Sequence, residues 1–146
     1  FVAAAGNLGL NTDVYPYYPA SYPHDNIVSV AATTNDDTRA WFSNYGPNSV
    51  DLAAPGVSIL STYGLDYAYL NGTSMACAHV TGIAAMLVMD FPEMTASDIR
   101  QRLIDTACIG GGEVETQALG QIPAQGIVAR DHEPLHERRI QQGRPG

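Results

Sequence analysis

Apolar residues near the start of the chain fall into short, nearly continuous runs rather than alternating with polar ones. FVAAAG at residues 1–6 ends at a glycine, and NIVSVAAT at residues 26–33 forms a second run. Such runs are typical of strands buried on both faces of a parallel sheet. Residues 11–25 between them carry three prolines and four tyrosines, which predicts an ordered loop. Two further β-prone stretches, residues 40–46 and 50–63, contain or border Gly-Pro and Pro-Gly turn signals.

Two helices are predicted after these strands. The apolar stretch LNGTSMACAHVTGIAAMLVMDF predicts a helix that opens near Ser74 and runs to about Asp90. Pro92 sets its end, because proline cannot occupy a helix interior. Thr95 suits the N-cap of a second, amphipathic helix whose apolar face is formed by Ile99, Leu103 and Ile104. Strands followed by a buried and an amphipathic helix indicate α/β layering.

The first helix opens with a small polar cluster, Asn71-Gly72-Thr73-Ser74. One interpretation is an N-cap, since Ser and Thr satisfy free N–H groups at a helix start. The other is a nucleophile, because the free amides and dipole at a helix start favour developing negative charge. The pattern alone leaves both interpretations open.

Composition excludes some functions and leaves others open. The 146-residue chain has a net charge of −8 and seven arginines but no lysine, so nucleic-acid binding is not expected. Two cysteines make no disulfide framework, and Cys77 is predicted to be a small buried apolar residue. Thr81 and Gly82 interrupt the longest apolar run, so no membrane span is expected. The opening residues lack the features of a signal peptide and suggest sequence missing upstream.

Several motifs in order resemble the subtilisin-like serine proteases. GTSMACAHVTG at residues 72–82 resembles the nucleophile motif of that family, and AAAGN at residues 3–7 resembles its oxyanion-hole segment. YPASYPHDNIVSVAAT, FSNYGP and DLAAPGVSILST follow the family's order. The resemblance covers about residues 1–107. It implies the C-terminal part of a three-layer α/β fold with a parallel sheet, without the N-terminal strands and helices.

The resemblance also implies roles for individual residues. Ser74 would be the nucleophile and Asn7 the side-chain donor of the oxyanion hole, with Thr73 a lesser contributor. Asn71 and Gly72 would belong to the same oxyanion and substrate-binding region. The remaining candidates would line the pocket for the residue before the scissile bond: Ala4, Ala5 and Gly6 form one wall, and Tyr17 lies near the base. Because a tyrosine fills space there, we expect small or medium side chains to be preferred.

The catalytic Asp and His of the family have no match in this chain. His79 lies five residues after Ser74 on one helix and therefore points about 140° away from it. His24 lies in a loop beside Asp25, where a surface role is expected. We therefore expect the chain to be inactive alone and to need a partner that carries the Asp and His. The alternative is a non-catalytic remnant that binds peptides or a partner chain.

After the second helix the pattern changes. Residues 1–119 are predicted to form the peptidase part and residues 120–146 a flexible tail or linker. HEPLH, residues 132–136, satisfies H-E-x-x-H in letters, but Pro134 disfavours the helix that a zinc site needs. A solvated tail is expected there instead. Calcium binding and secretion are expectations from the resemblance alone, as is a protein or peptide substrate.

Overall fold

The computed structural model describes residues 1–107. Five strands and two helices are present in this part of the chain. In chain order they are β1 (Val2–Ala4), β2 (Val28–Thr33), β3 (Leu52–Pro55), β4 (Ile59–Tyr63), β5 (Asp66–Leu70), α1 (Thr73–Asp90) and α2 (Ala96–Thr106).

The first three strands form a parallel sheet in the order β1-β2-β3. Ala3 pairs with Ser29, and Ala31 pairs with Ala53, so β2 is the central strand. All six residues of β2 are buried. The two apolar runs at residues 1–6 and 26–33 therefore form parallel strands, as their pattern predicts.

Helix α1 lies across one face of this sheet and contacts all three strands. The core between them is formed by small and branched residues, including Val30, Leu52, Ala76 and Val80. Helix α2 packs against α1, and Leu103 joins the same core. Alanine at the sheet and helix surfaces allows close approach, so burial is achieved with little side-chain volume.

The start of α2 forms the capping box that the sequence predicts. Thr95 Oγ1 accepts a hydrogen bond from the Asp98 amide, and the Asp98 carboxylate accepts one from the Thr95 amide. Arg100 then ties α2 to the amino edge of the sheet, where it forms an ion pair with Asp51. Its Nε also donates to the carbonyl of Ile27 at 2.8 Å.

Two strand predictions need correction. Residues 40–46 form no strand and pair with a neighbouring segment at one isolated bridge, between Asn11 and Tyr45. Strand β5 has no counterpart in the sequence prediction. It pairs antiparallel with β4 around a turn in which Gly64 has φ +61°, and both faces of this hairpin are largely exposed. Without a buried face, β5 has no apolar pattern to reveal it.

Helix α1 also corrects two expectations. Cys77 is half-buried rather than buried, and burial raises the pKa of its thiol although a hydrogen bond with Thr81 opposes this. By length and composition α1 is apolar enough to cross a membrane, so Thr81 and Gly82 do not exclude a span. The core helix of a soluble protein passes the same test. Cys108, the boundary at residue 120 and residues 132–136 lie outside the described residues.

Candidate active site

The candidate residues meet at the carboxyl edge of the parallel sheet, where ligands bind in open α/β sheets. Strand β1 runs directly into the Ala5-Gly6-Asn7 segment. Strand β3 runs into Gly56, whose carbonyl accepts a hydrogen bond from the Gly72 amide at 2.8 Å. A Cβ atom on Gly56 would lie 2.6 Å from the Ala32 Cβ. Glycine is therefore required where the start of α1 meets the sheet.

The start of α1 tests the N-cap interpretation of the polar cluster at residues 71–74. Thr73 is the first helical residue, and the N-cap is Gly72, which has no side chain. The N-cap interpretation of Thr73 and Ser74 is therefore wrong. Instead Asn7, from the β1 edge, acts as the cap, because its Oδ1 accepts a hydrogen bond from the Thr73 amide at 2.9 Å.

Thr73 locks the amide of Asn7 in one orientation. Its hydroxyl donates to Asn7 Oδ1 at 2.9 Å and accepts from the Gly6 amide at 3.1 Å. Thr73 is fully buried behind Asn7. Because both bonds to Asn7 use Oδ1, the Nδ2 donor points away from them and stays free of partners within residues 1–107.

Two N–H donors lie close to Gly72. A Cβ atom at Gly72 would lie 3.4 Å from Asn7 Nδ2 and 3.7 Å from the Ser74 amide nitrogen. The Ser74 amide belongs to the first turn of α1, where N–H groups have no partner within the helix. A small negatively charged oxygen placed there could accept from both groups.

The predicted pocket residues lie on one side of this space. Gly6 has φ +103°, and a Cβ atom on it would lie 3.1 Å from the Tyr17 ring. Ala5 is buried and Ala4 is half-buried beside it. The Tyr17 ring therefore packs against Gly6. The Tyr18–Pro19 peptide in the same loop is cis.

Asn71 lies on the other side. Its Oδ1 accepts from the Ser58 amide at 2.6 Å, which joins the end of β5 to the segment before β4. A cavity of about 320 Å³ extends from Asn7 past Asn71, and the aromatic residues Trp41 and Phe42 form its outer wall. The structure thus brings Gly6, Asn7, Gly72, Thr73 and Ser74 close together, with Tyr17 against Gly6 and Asn71 on the cavity that Asn7 lines. Ala4 and Ala5 directly precede Gly6 along the chain, and the roles of all nine residues stay predictions.

The two histidines of the described part lie away from Ser74. His79 Nδ1 lies 2.9 Å from the Met75 carbonyl oxygen, one turn earlier on α1. The His24 ring lies in an exposed loop, with its centroid 5.9 Å from that of Tyr22. Within residues 1–107 the Ser74 hydroxyl is exposed and has no hydrogen-bond partner. No general base for Ser74 is present in this part of the chain.

Residues 1–107 contain no group of three or more His, Cys, Asp or Glu side chains able to hold a metal ion. Two of the described carboxylates, those of Asp13 and Asp51, already have hydrogen-bond or ion-pair partners. Asp51 pairs with Arg100 and accepts from the Ser29 amide, while Asp13 accepts from Asn48 and Ser49. The described carboxylates therefore do not fit a calcium site built from acidic side chains.

One residue near the site was not assigned a role from the sequence. Asn44 is fully buried and hydrogen-bonds the backbone on both sides of Asn7. Asn44 belongs to the FSNYGP motif, but its hydrogen bonds join residues that are more than 30 positions apart in the sequence. No periodic pattern could have revealed it.

The sheet with its crossing helix belongs to the α/β class, with the candidate residues at the carboxyl edge of the strands. The family model of the subtilase family matches residues 1–139. The chain belongs to the subtilase family, as the motifs predict.

Known relatives match at similar levels. The chain is 44% identical to subtilisin DY of Bacillus licheniformis over 73% of its own length and 38% of the relative's. It is 44% identical to thermitase of Thermoactinomyces vulgaris over 87% of its own length and 43% of the relative's. The chain thus spans about two fifths of the length of these relatives.

Solved structures confirm the predicted partial subtilisin-like fold. A protease of Pseudoalteromonas arctica aligns with a TM-score of 0.66 and 35% identity, covering 72% of this chain and 34% of that one. A cold-adapted subtilisin-like serine proteinase aligns with a TM-score of 0.65 and 38% identity, covering 71% and 37%.

Proposed function

We propose that this chain supplies the nucleophile and oxyanion-binding part of a serine endopeptidase that hydrolyses peptide bonds. Its partner is the polypeptide segment that carries the Asp and His motifs of the family. Ser74 is the nucleophile, and Asn7 and the Ser74 amide bind the oxyanion. The observation that carries the proposal is that both donors lie within 4 Å of the position a Gly72 Cβ would take.

The chemistry follows from this arrangement. The Ser74 hydroxyl attacks the carbonyl carbon of the substrate, and the partner's His accepts its proton. Negative charge then develops on the carbonyl oxygen, where Asn7 Nδ2 and the Ser74 amide donate hydrogen bonds. Collapse of this intermediate releases the amine, which takes the proton from His, and leaves an acyl group on Ser74. Water then attacks the acyl carbon, and His accepts its proton. The second intermediate collapses, releasing the carboxylic acid product, and His returns the proton to Ser74.

Thr73 acts here through Asn7 rather than on the substrate. Its buried hydroxyl and its amide both donate to Asn7 Oδ1, which leaves Nδ2 available to donate to the substrate. A neutral amide suits the role, because it donates to the oxyanion without competing for the proton on His.

The exposed surface of α1 supports the need for a partner. Only three of its 18 residues are buried, and Met89 is 80% exposed. A soluble helix seldom leaves so much apolar surface in water, which favours a covering segment. The Asp and His part of the family's catalytic domain is the occupant that would also complete the site.

Peptide hydrolysis by the chain combined with the Asp and His segment tests the proposal. Asn7→Ala should lower kcat by about 10²- to 10³-fold with little change in KM, because the lost bond forms mainly in the transition state; this magnitude is the measured one for a subtilisin donor. Ser74→Ala should lower activity to the small residual rate that substrate binding and oxyanion stabilisation alone support. Arg100→Gln, which breaks the ion pair at the opposite edge of the sheet, serves as the control and should leave kcat nearly unchanged. An active Ser74→Ala variant would contradict the proposal.

The second candidate function is a non-catalytic module that binds peptides or a partner chain in the same cleft. The observation that favours it is the absence of a base near Ser74 within residues 1–107. It predicts peptide binding that Ser74→Ala leaves unchanged, together with no hydrolysis when the Asp and His segment is supplied.

The setting of this activity is also proposed. Secretion rests on the family, and the acidic chain without lysine argues against nucleic-acid partners. We place α1 against the sheet of a folded domain rather than in a membrane, because it contacts all three strands of the sheet.

A further inference from the structure

Asn44 packs against the segment that presents Asn7 and hydrogen-bonds its backbone. It is 1% exposed and is among the largest fully buried residues of the described part. A buried amide is costly unless its donors and acceptors are paired. The hydrogen-bond partners of Asn44 therefore indicate which backbone segment it holds in place.

On the strand side of Asn7, Asn44 makes two bonds to the backbone. Its Nδ2 donates to the carbonyl of Ala5 at 2.8 Å, and its own amide donates to the carbonyl of Gly6 at 2.9 Å. A Cβ atom on Gly6 would lie only 2.4 Å from Asn44 Nδ2. The two residues are therefore packed in direct contact, with no space for a side chain between them.

On the other side of Asn7, Asn44 makes two more bonds. Its Oδ1 accepts from the amides of Leu8 and Leu10, both at 3.0 Å. One buried side chain thus fixes the chain direction before and after the donor residue. This needs a planar group with a donor and a doubly accepting oxygen, which serine or alanine cannot supply.

We propose that Asn44 is a positioning residue for the oxyanion donor, acting through the backbone on either side of Asn7. The inference rests on the proposed function, since it assigns Asn44 to the same site. Thr73 fixes the rotation of the Asn7 amide, whereas Asn44 fixes where the Asn7 backbone lies. Displacement of a donor by a fraction of an ångström weakens the bond that forms in the transition state more than substrate binding.

Kinetics of Asn44→Ala and the milder Asn44→Ser, in the chain combined with the Asp and His segment, test this. We expect kcat to fall by roughly 10- to 100-fold while KM changes by less than about 2-fold. Arg100→Gln is the matched control, because it also removes a partly buried polar contact but at the opposite edge of the sheet. A fall in thermal stability with unchanged kcat in both Asn44 variants would overturn the proposal.

A double-mutant cycle separates positioning from general stability. If Asn44 acts through Asn7, its substitution in an Asn7→Ala background should lower kcat by less than about 2-fold further. Full additivity would show that Asn44 acts elsewhere and would overturn the proposal. Absence of hydrolysis by the wild-type combination would overturn the proposed function and this inference with it, whereas additivity in an active enzyme overturns this inference alone.

Amide hydrogen exchange provides a readout that needs no activity. In the wild-type chain the amides of Leu8 and Leu10 should be protected, since Asn44 Oδ1 accepts from both. Asn44→Ala should raise exchange at these two amides, while the Val28 amide of β2, which donates to the Phe1 carbonyl at 2.8 Å, keeps its protection. Equal protection of Leu8 and Leu10 in both proteins would contradict the proposed contact in solution.

Discussion

At the scale of single residues, Asn7 combines a structural and a chemical use of one amide group. Its oxygen caps α1 through Thr73, and this leaves its nitrogen near Gly72 and available as a donor. A 180° flip of the Asn7 amide, which would exchange Oδ1 and Nδ2, would therefore lose two hydrogen bonds. This is why a flexible side chain can serve as a fixed donor.

Tyr17 carries the prediction on specificity at this scale. Its ring faces Gly6 where the residue before the scissile bond would enter. Tyr17→Ala should raise kcat/KM for a substrate with Phe at that position relative to Ala, by about 10- to 100-fold, because the pocket gains volume. Tyr15→Ala, a change at an exposed tyrosine of the same loop, is the control. Wild-type enzyme that cleaves large aromatics fastest would contradict the prediction.

At the scale of elements, the loop of residues 11–25 is held to the segment before β3 by Asp13. Its carboxylate accepts from the Ser49 hydroxyl at 2.6 Å and from Asn48 Nδ2 at 2.9 Å. Partial burial raises the pKa of Asp13, but these hydrogen bonds outweigh it, so the pKa lies below the ordinary value. The charged form is therefore the one that stabilises the loop.

This lowered pKa predicts a pH dependence. A carboxyl with a lower pKa in the folded state adds stability above its unfolded pKa of about 4, and the gain is lost as pH falls through the folded value. Asn resembles the protonated form, so the difference in Tm between wild type and Asp13→Asn should be constant above about pH 5 and shrink as pH falls below about 4. We expect less than about 1 kcal/mol, since the group is exposed and screened. Asp25→Asn is the control, and a difference that grows below pH 4 would contradict the prediction.

The same scale shows how far the sequence predicts the fold. β1, β2, α1 and the capped α2 were predicted, because burial and capping leave patterns in the residues themselves. β5 was missed because its hairpin is exposed on both faces. The site residues were predicted from motif resemblance. Asn44 was not, because its partners Leu8 and Leu10 are brought to it only by the fold.

At the scale of the whole molecule, the chain matches about two fifths of the length of subtilisin DY and of thermitase. It holds the sheet edge, the helix start and the two N–H donors near Gly72, and within residues 1–107 it holds no base for Ser74. The broad exposed apolar surface of α1 lies on the helix that begins with the proposed nucleophile. We therefore expect the segment that supplies the Asp and His to cover the exposed surface of α1 as well.

Labelling with a fluorophosphonate probe tests this account most directly. The probe reacts with an activated serine, and mass spectrometry locates the adduct. We expect an adduct on Ser74 when the chain is combined with the segment carrying the family's Asp and His. Neither the chain alone nor the Ser74→Ala combination should react. A folded combination that stays unlabelled at Ser74 would contradict the assignment of Ser74 as a catalytic nucleophile.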